Sequence, residues 1–95
     1  MNKYEVVFIA LPDLDEEGLT ALAERYTESV KSLGGQVDQV ENWGKRRLAY
    51  PIHKLQEGYY FVSQIQSGPE TLKELDRSLR LNEQVVRFLI TCKEE

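Results

Sequence analysis

The chain has 95 residues, 41% of them hydrophobic and 29% charged, with a formal net charge of -4 at pH 7. That length and balance suit one soluble globular domain over residues 1–95, with apolar surface enough for one modest core and too much for a disordered chain. The acidic total excludes a general nucleic-acid binder but leaves room for a local basic site, because charges are screened within about 8 Å at cellular salt.

A single cysteine, Cys92, rules out an internal disulfide and fits a reducing compartment. The start Met1-Asn2-Lys3-Tyr4-Glu5 lacks the form of a signal peptide. No apolar run approaches the roughly 20 residues of a membrane span. A cytoplasmic protein without membrane association is expected.

Residues 6–11 form a β-branched apolar run ended by Pro12-Asp13. It reads as a strand, and being apolar on both faces it reads as a central one. Asp13 or Asp15 can cap the helix that follows, whose first turn carries Glu16 and Glu17. Leu19, Leu22, Ala23, Tyr26, Val30 and Leu33 recur at helical spacing and make one buried stripe, and Gly34-Gly35 ends it.

Residues 36–52 read as extended. Val37 and Val40 are three apart, so a bulge lies between them if both face inward. From Val40 the alternation runs on through Leu48 and Tyr50, which places Arg46 and Tyr50 on one face and Glu41, Arg47 and Ala49 on the other. Pro51 has no ladder donor, and with the clustered charges it marks an edge strand. Residues 54–58 read as a short turn and residues 59–66 as a third strand. Gly68-Pro69 opens a second helix, buried through Leu72, Leu75 and Leu79 and broken at Asn82-Glu83. Residues 85–91 are the last strand.

The order β-α-β-β-α-β is that of the ferredoxin-like α+β fold: a four-stranded antiparallel sheet with two helices on one face, the second and fourth strands outermost. Gln64 and Gln66 assign their parity to the uncovered face. Val6, Phe8, Phe61, Ile65, Phe88 and Ile90 then point inward. Val7, Ile9, Tyr60, Val62 and Leu89 form an apolar patch on the open side, beside Arg87. Such a patch marks a binding surface, unless the second strand or the C-terminal residues shade it.

His53 is the only histidine, so neither a zinc site nor a catalytic triad can be assembled from the usual residues. No phosphate-binding glycine loop is present, and the carboxylates at 13–17 are explained by helix capping. Gly58-Tyr59-Tyr60-Phe61-Val62 resembles the third-strand signature of RNA recognition motifs. It departs at Glu57, where a basic residue is expected, and at Tyr60, where a small one is, and its Phe61 turns inward. Lys45-Arg46-Arg47, followed by Tyr50, His53 and Lys54, is the one dense positive run. Arginine grips phosphate through a planar fork and tyrosine stacks on bases. Taken by composition alone, the run is better read as a charge-protected edge.

The run Gly44-Lys45-Arg46-Arg47-Leu48-Ala49-Tyr50-Pro51-Ile52 closely resembles the signature of the bacterial small-subunit ribosomal protein six family. Tyr4-Glu5-Val6, Gly58-Tyr59-Tyr60 and the run from Leu79 through Asn82 to Arg87 are similar to that family's first strand, third strand and last crossover. The resemblance covers essentially the whole chain. It implies a structural role in the small ribosomal subunit, with neither catalysis nor cofactor. The partners it implies are small-subunit ribosomal protein eighteen and the central domain of the small-subunit ribosomal RNA. Carried over by position, it assigns RNA or partner contacts to Arg46, Arg47 and Tyr50, field to Lys45, and further contacts to Lys3, Tyr4, Arg80 and Arg87. Leu48 and Ile52 are packing residues of the same motif.

Two other functions fit the same fold. An acylphosphatase-type enzyme needs an arginine in the loop after the first strand, where this chain has Leu11-Pro12-Asp13-Leu14-Asp15. A small-molecule regulatory module would dimerise through its sheet, whereas the ribosomal reading expects a monomer when isolated.

Overall fold

The computed structural model describes residues 2–52 and 55–93, and of residues 49–52 the backbone alone. His53 and Lys54 lie outside the described residues. Strands β1 (Asn2–Ala10), β2 (Gln36–Ile52), β3 (Leu55–Ser67) and β4 (Val85–Cys92) alternate with helices α1 (Glu16–Ser32) and α2 (Pro69–Leu81) in the order β-α-β-β-α-β. The sheet runs β2-β3-β1-β4 with every neighbouring pair antiparallel. This is the ferredoxin-like α+β fold, with β2 and β4 at its edges. The inner position of β1 explains why its apolar run carries no polar face.

One parity of each strand faces the helices. Val6, Phe8, Phe61 and Ile65 are buried with Leu19, Leu22, Tyr26 and Val30 of α1 and Leu75 and Leu79 of α2. Phe8 stacks on Phe61 with ring centroids 5.0 Å apart and meets Tyr26 at 4.9 Å. Phe88 and Ile90 pack partly against the same cluster. Asp15, rather than Asp13, caps α1: its Oδ1 accepts the Gly18 N–H at 2.7 Å. Gly68 stands before α2, and Pro69 supplies the first turn with a φ already suited to it.

The segment 55–58, expected as a turn, is strand. Ile52 pairs with Leu55, Arg47 with Glu57 and Arg46 with Gly58. The reason is the length of β2, which offers cross-strand partners to backbone whose charged and glycine-containing sequence has little strand preference of its own. β1 pairs with β3 only as far as Ala10 opposite Tyr59. The β2–β3 hairpin therefore runs past the end of β1 as a two-stranded arm.

One polar chain crosses the core. Ser63 donates to the Val6 carbonyl at 3.1 Å, which commits its only proton, so Tyr26 donates to Ser63 across 2.6 Å. Burial pushes the Tyr26 hydroxyl up to about 12. An unfolded tyrosine ionises near ~10, so the folded state holds this proton more tightly. The resulting stability is complete below that value and is lost as pH rises through about 12, an effect of roughly 3 kcal/mol. Urea unfolding should show this alkaline loss in the native chain and not in Tyr26→Phe. Equal pH dependence in both would remove the assignment.

Candidate nucleic-acid interface

β2 shifts register three times against β3, the last time between Arg47 and Ile52, and the first two shifts are bulges that precede the basic run. The first, between Val37 and Gln39, leaves Asp38 unpaired and allows Val37 and Val40 both to face the helices, as their spacing required. The second sets Trp43 and Gly44 against the single residue Tyr60. Gly44 has φ 90°, a conformation that L side chains rarely adopt, and its N–H donates to Asn42 Oδ1 at 2.8 Å.

The second bulge moves the side chains of Lys45, Arg46 and Arg47 to the opposite face. Arg46 pairs with Gly58 and shares the open face with Tyr60 and Val62. Lys45 and Arg47 pair with Tyr59 and Glu57 and lie on the helix side. The sequence expectation that Arg46 keeps the parity of Val40 is therefore corrected. The expected split between Arg46 and Arg47 remains, with its sides exchanged. Tyr50 lies on the backbone of β2, and its side chain is outside the described residues.

Lys45, Arg46 and Arg47 are exposed, and none of them is in an ion pair with a described residue. Lys45 Nζ sits 5.4 Å from the Tyr59 ring centre. The Arg46 guanidinium sits 5.3 Å from the Trp43 ring centre, and its Nε donates to the Trp43 carbonyl at 3.4 Å. The sequence assigned Trp43 no role, and its place beside Arg46 makes it part of this group. The available signal was an aromatic residue directly before the glycine that opens the basic run.

The other expected contact residues are dispersed. Lys3 lies six residues before Ile9 on β1, roughly 20 Å from the basic end of the sheet. It also faces compensation. Hydrogen bonds from Gln66 and then Gln36 hold the Asp38 carboxyl below its ordinary range, and Lys3 adds a weaker coulombic pull. Nearby, a hydrogen bond from Gln64 does the same to Glu5, helped by Lys93. Tyr4 is only 9% exposed and belongs to the core, because it shares the parity of Val6 and Phe8; it offers no contact surface. Arg80 is in the helix layer, bonded to Asp76 at 2.7 Å and 6.0 Å from the Phe88 ring centre. Arg87 is on the open face opposite Ile9, three strand spacings or about 14 Å from the Arg46 strand.

Val62, Val7 and Leu89 lie side by side across β3, β1 and β4, and Tyr60 and Ile9 form the next row. Leu89 is 64% exposed, and Val7, Val62 and Tyr60 are half-buried. Ile9 is corrected from open patch to buried residue, at 8% exposure. Its Cγ2 occupies the place a side chain at Gly58 would need: a Cβ there would sit 2.4 Å away.

Among the described residues no group of three or more His, Cys, Asp or Glu could hold a metal ion. No helix of the described residues is long and apolar enough to cross a membrane. Residues 3–91 match the family model described as ribosomal protein S6. The chain belongs to the ribosomal protein S6 family. It is 44% identical over 95 residues to small ribosomal subunit protein bS6 of Moorella thermoacetica, covering all of this chain and 97% of that one. It is 46% identical over 94 residues to the bS6 of a Clostridium botulinum strain, covering 99% of this chain and all of that one. Its fold matches the crystal structure of 30S ribosomal protein S6 from Thermotoga maritima with a TM-score of 0.90 at 31% identity, covering 97% of this chain and 87% of that one. An S6-family chain is a structural, non-enzymatic protein of the small ribosomal subunit.

Proposed function

We propose that this S6-family chain binds the central domain of small-subunit ribosomal RNA jointly with small-subunit ribosomal protein eighteen. It acts as one domain, monomeric when isolated, in the cytoplasm. The observation that carries the reading is the run Lys45, Arg46 and Arg47, exposed and without ion pairs among the described residues, on a projecting edge of an acidic chain. A basic patch without internal counterions is what a polyanion neutralises most favourably. Arg46 and Arg47 are the principal contacts, with Tyr50 beside them in the motif and Lys45 and Arg87 adding positive field. The half-buried apolar rows of the open face suit the protein partner.

A mobility-shift titration on small-subunit ribosomal RNA, with and without protein eighteen, tests the reading. The two proteins together should shift the RNA at lower concentration than this chain alone. Unchanged RNA mobility with both proteins present would end the proposal. Sedimentation of the isolated chain should return the mass of a monomer, and self-association at micromolar concentration would favour the dimeric regulatory alternative.

A further inference from the structure

We propose that Trp43 is a stacking platform for an unpaired RNA base, with Arg46 fixing the ring and drawing the phosphate beside it. The inference rests on the RNA-binding reading and names a residue that reading leaves without a role. Trp43 is the extra residue of the second bulge, and bulges re-aim side chains at edges. Both of its side-chain partners belong to the open face. The indole Nε1 donates to Glu41 Oε2 at 3.1 Å, and Glu41 stands opposite Val62. The Arg46 guanidinium lies 5.3 Å from the ring centre, and Arg46 stands opposite Gly58. Gln39 donates in turn to Glu41, so the carboxylate that holds the indole is itself held. The ring is thus oriented before anything binds, which reduces the ordering cost at association.

An apolar ring held at an edge and still 48% exposed is poorly explained by packing. Its surroundings select the occupant. Three cations without ion pairs among the described residues lie within four positions of it, which favours a polyanion over a neutral apolar peptide. Among polyanions, one with flat π faces uses the indole as well as the charge. A duplex keeps its bases stacked on one another, so the fitting ligand is single-stranded or bulged RNA.

Trp43 is the only tryptophan, so its emission reports the site directly. The full chain is titrated with small-subunit ribosomal RNA while retention on a filter measures total binding. RNA should quench the emission in step with retention. Trp43→Leu should weaken retention by roughly 5- to 150-fold with an unchanged salt slope, since stacking releases no counterions, whereas Trp43→Tyr should restore most of the affinity. Circular dichroism confirms that each variant is folded, and Trp43→Tyr supplies the comparison if the leucine variant is not. RNA retained at native affinity by Trp43→Leu, or retained without any change in emission, would overturn the proposal and leave the RNA-binding reading standing. Quenching by protein eighteen alone, without RNA, would assign the ring to the protein interface and overturn it too. No retention by the native chain, alone or with protein eighteen, would remove both.

Discussion

Replacing Arg46 and Arg47 together by alanine should weaken RNA binding by the chain and its protein partner on the order of 100-fold, because two charge-assisted contacts are lost. It should also flatten the salt dependence by roughly 1 to 2 in log–log slope. The fold should survive. Both side chains are exposed and outside any ion pair with described residues, and such surface changes move stability by about 0.5 kcal/mol or less. Arg46 also gives up its place over Trp43, a further loss of about 0.5–1 kcal/mol at an exposed site. The single variants carry separate information, since the bulge sends Arg46 to the open face and Arg47 to the helix side. If RNA and protein divide the strand between them, one variant lowers the salt slope and the other lowers affinity for protein eighteen. Native affinity and slope in the double variant would remove the basic run from the interface.

Gly58→Val should destabilise the domain strongly. A Cβ at this position would sit 2.4 Å from Ile9 Cγ2 and 3.1 Å from the Ala10 carbonyl oxygen. The side-chain atom can yield only by leaving the site where it is buried, and the carbonyl belongs to an inner strand. Overpacking of this kind costs about 1–3 kcal/mol, and the two methyls of valine bring it to the upper end. A domain of this size then melts roughly 10 °C lower or more. Gly44→Ala is the informative contrast. Nothing lies within 4 Å of a Cβ there, so its cost comes only from the φ of 90°, about 1–2 kcal/mol. Thermal melts of the two variants test this, and a Gly58→Val chain as stable as the native one would contradict the close packing of the two strands.

The fold was readable because local and tertiary signals agree in most elements. Asp15, the stripe from Leu19 to Val30, and Gly68-Pro69 each mark a boundary or a buried face by chemistry that acts within a few residues. The first bulge was readable too, since Val37 and Val40 cannot both face inward without it. The second bulge was not. It rests on Gly44 and Asn42, whose effect on the register emerges only when the partner strand is known, and the alternation counted across it reversed the faces of Arg46 and Arg47. The burial of Ile9 was hidden for a similar reason. It depends on the absence of a side chain at Gly58, two strands away in the sequence and one strand away in space. Tyr4 looked like a contact residue by motif, but its parity with Val6 takes it into the core. The candidate site was legible as a basic run. That its cations lack ion pairs among the described residues, and that Trp43 joins them, required the fold.

Tagged protein recovered from cells at moderate salt, followed by identification of the RNA and proteins that accompany it, tests the ribosomal assignment most directly. Small-subunit ribosomal RNA should be recovered together with protein eighteen, and both should fall sharply in the Arg46→Ala, Arg47→Ala variant. Recovery of the chain free of ribosomal RNA, or equal recovery with the variant, would contradict it.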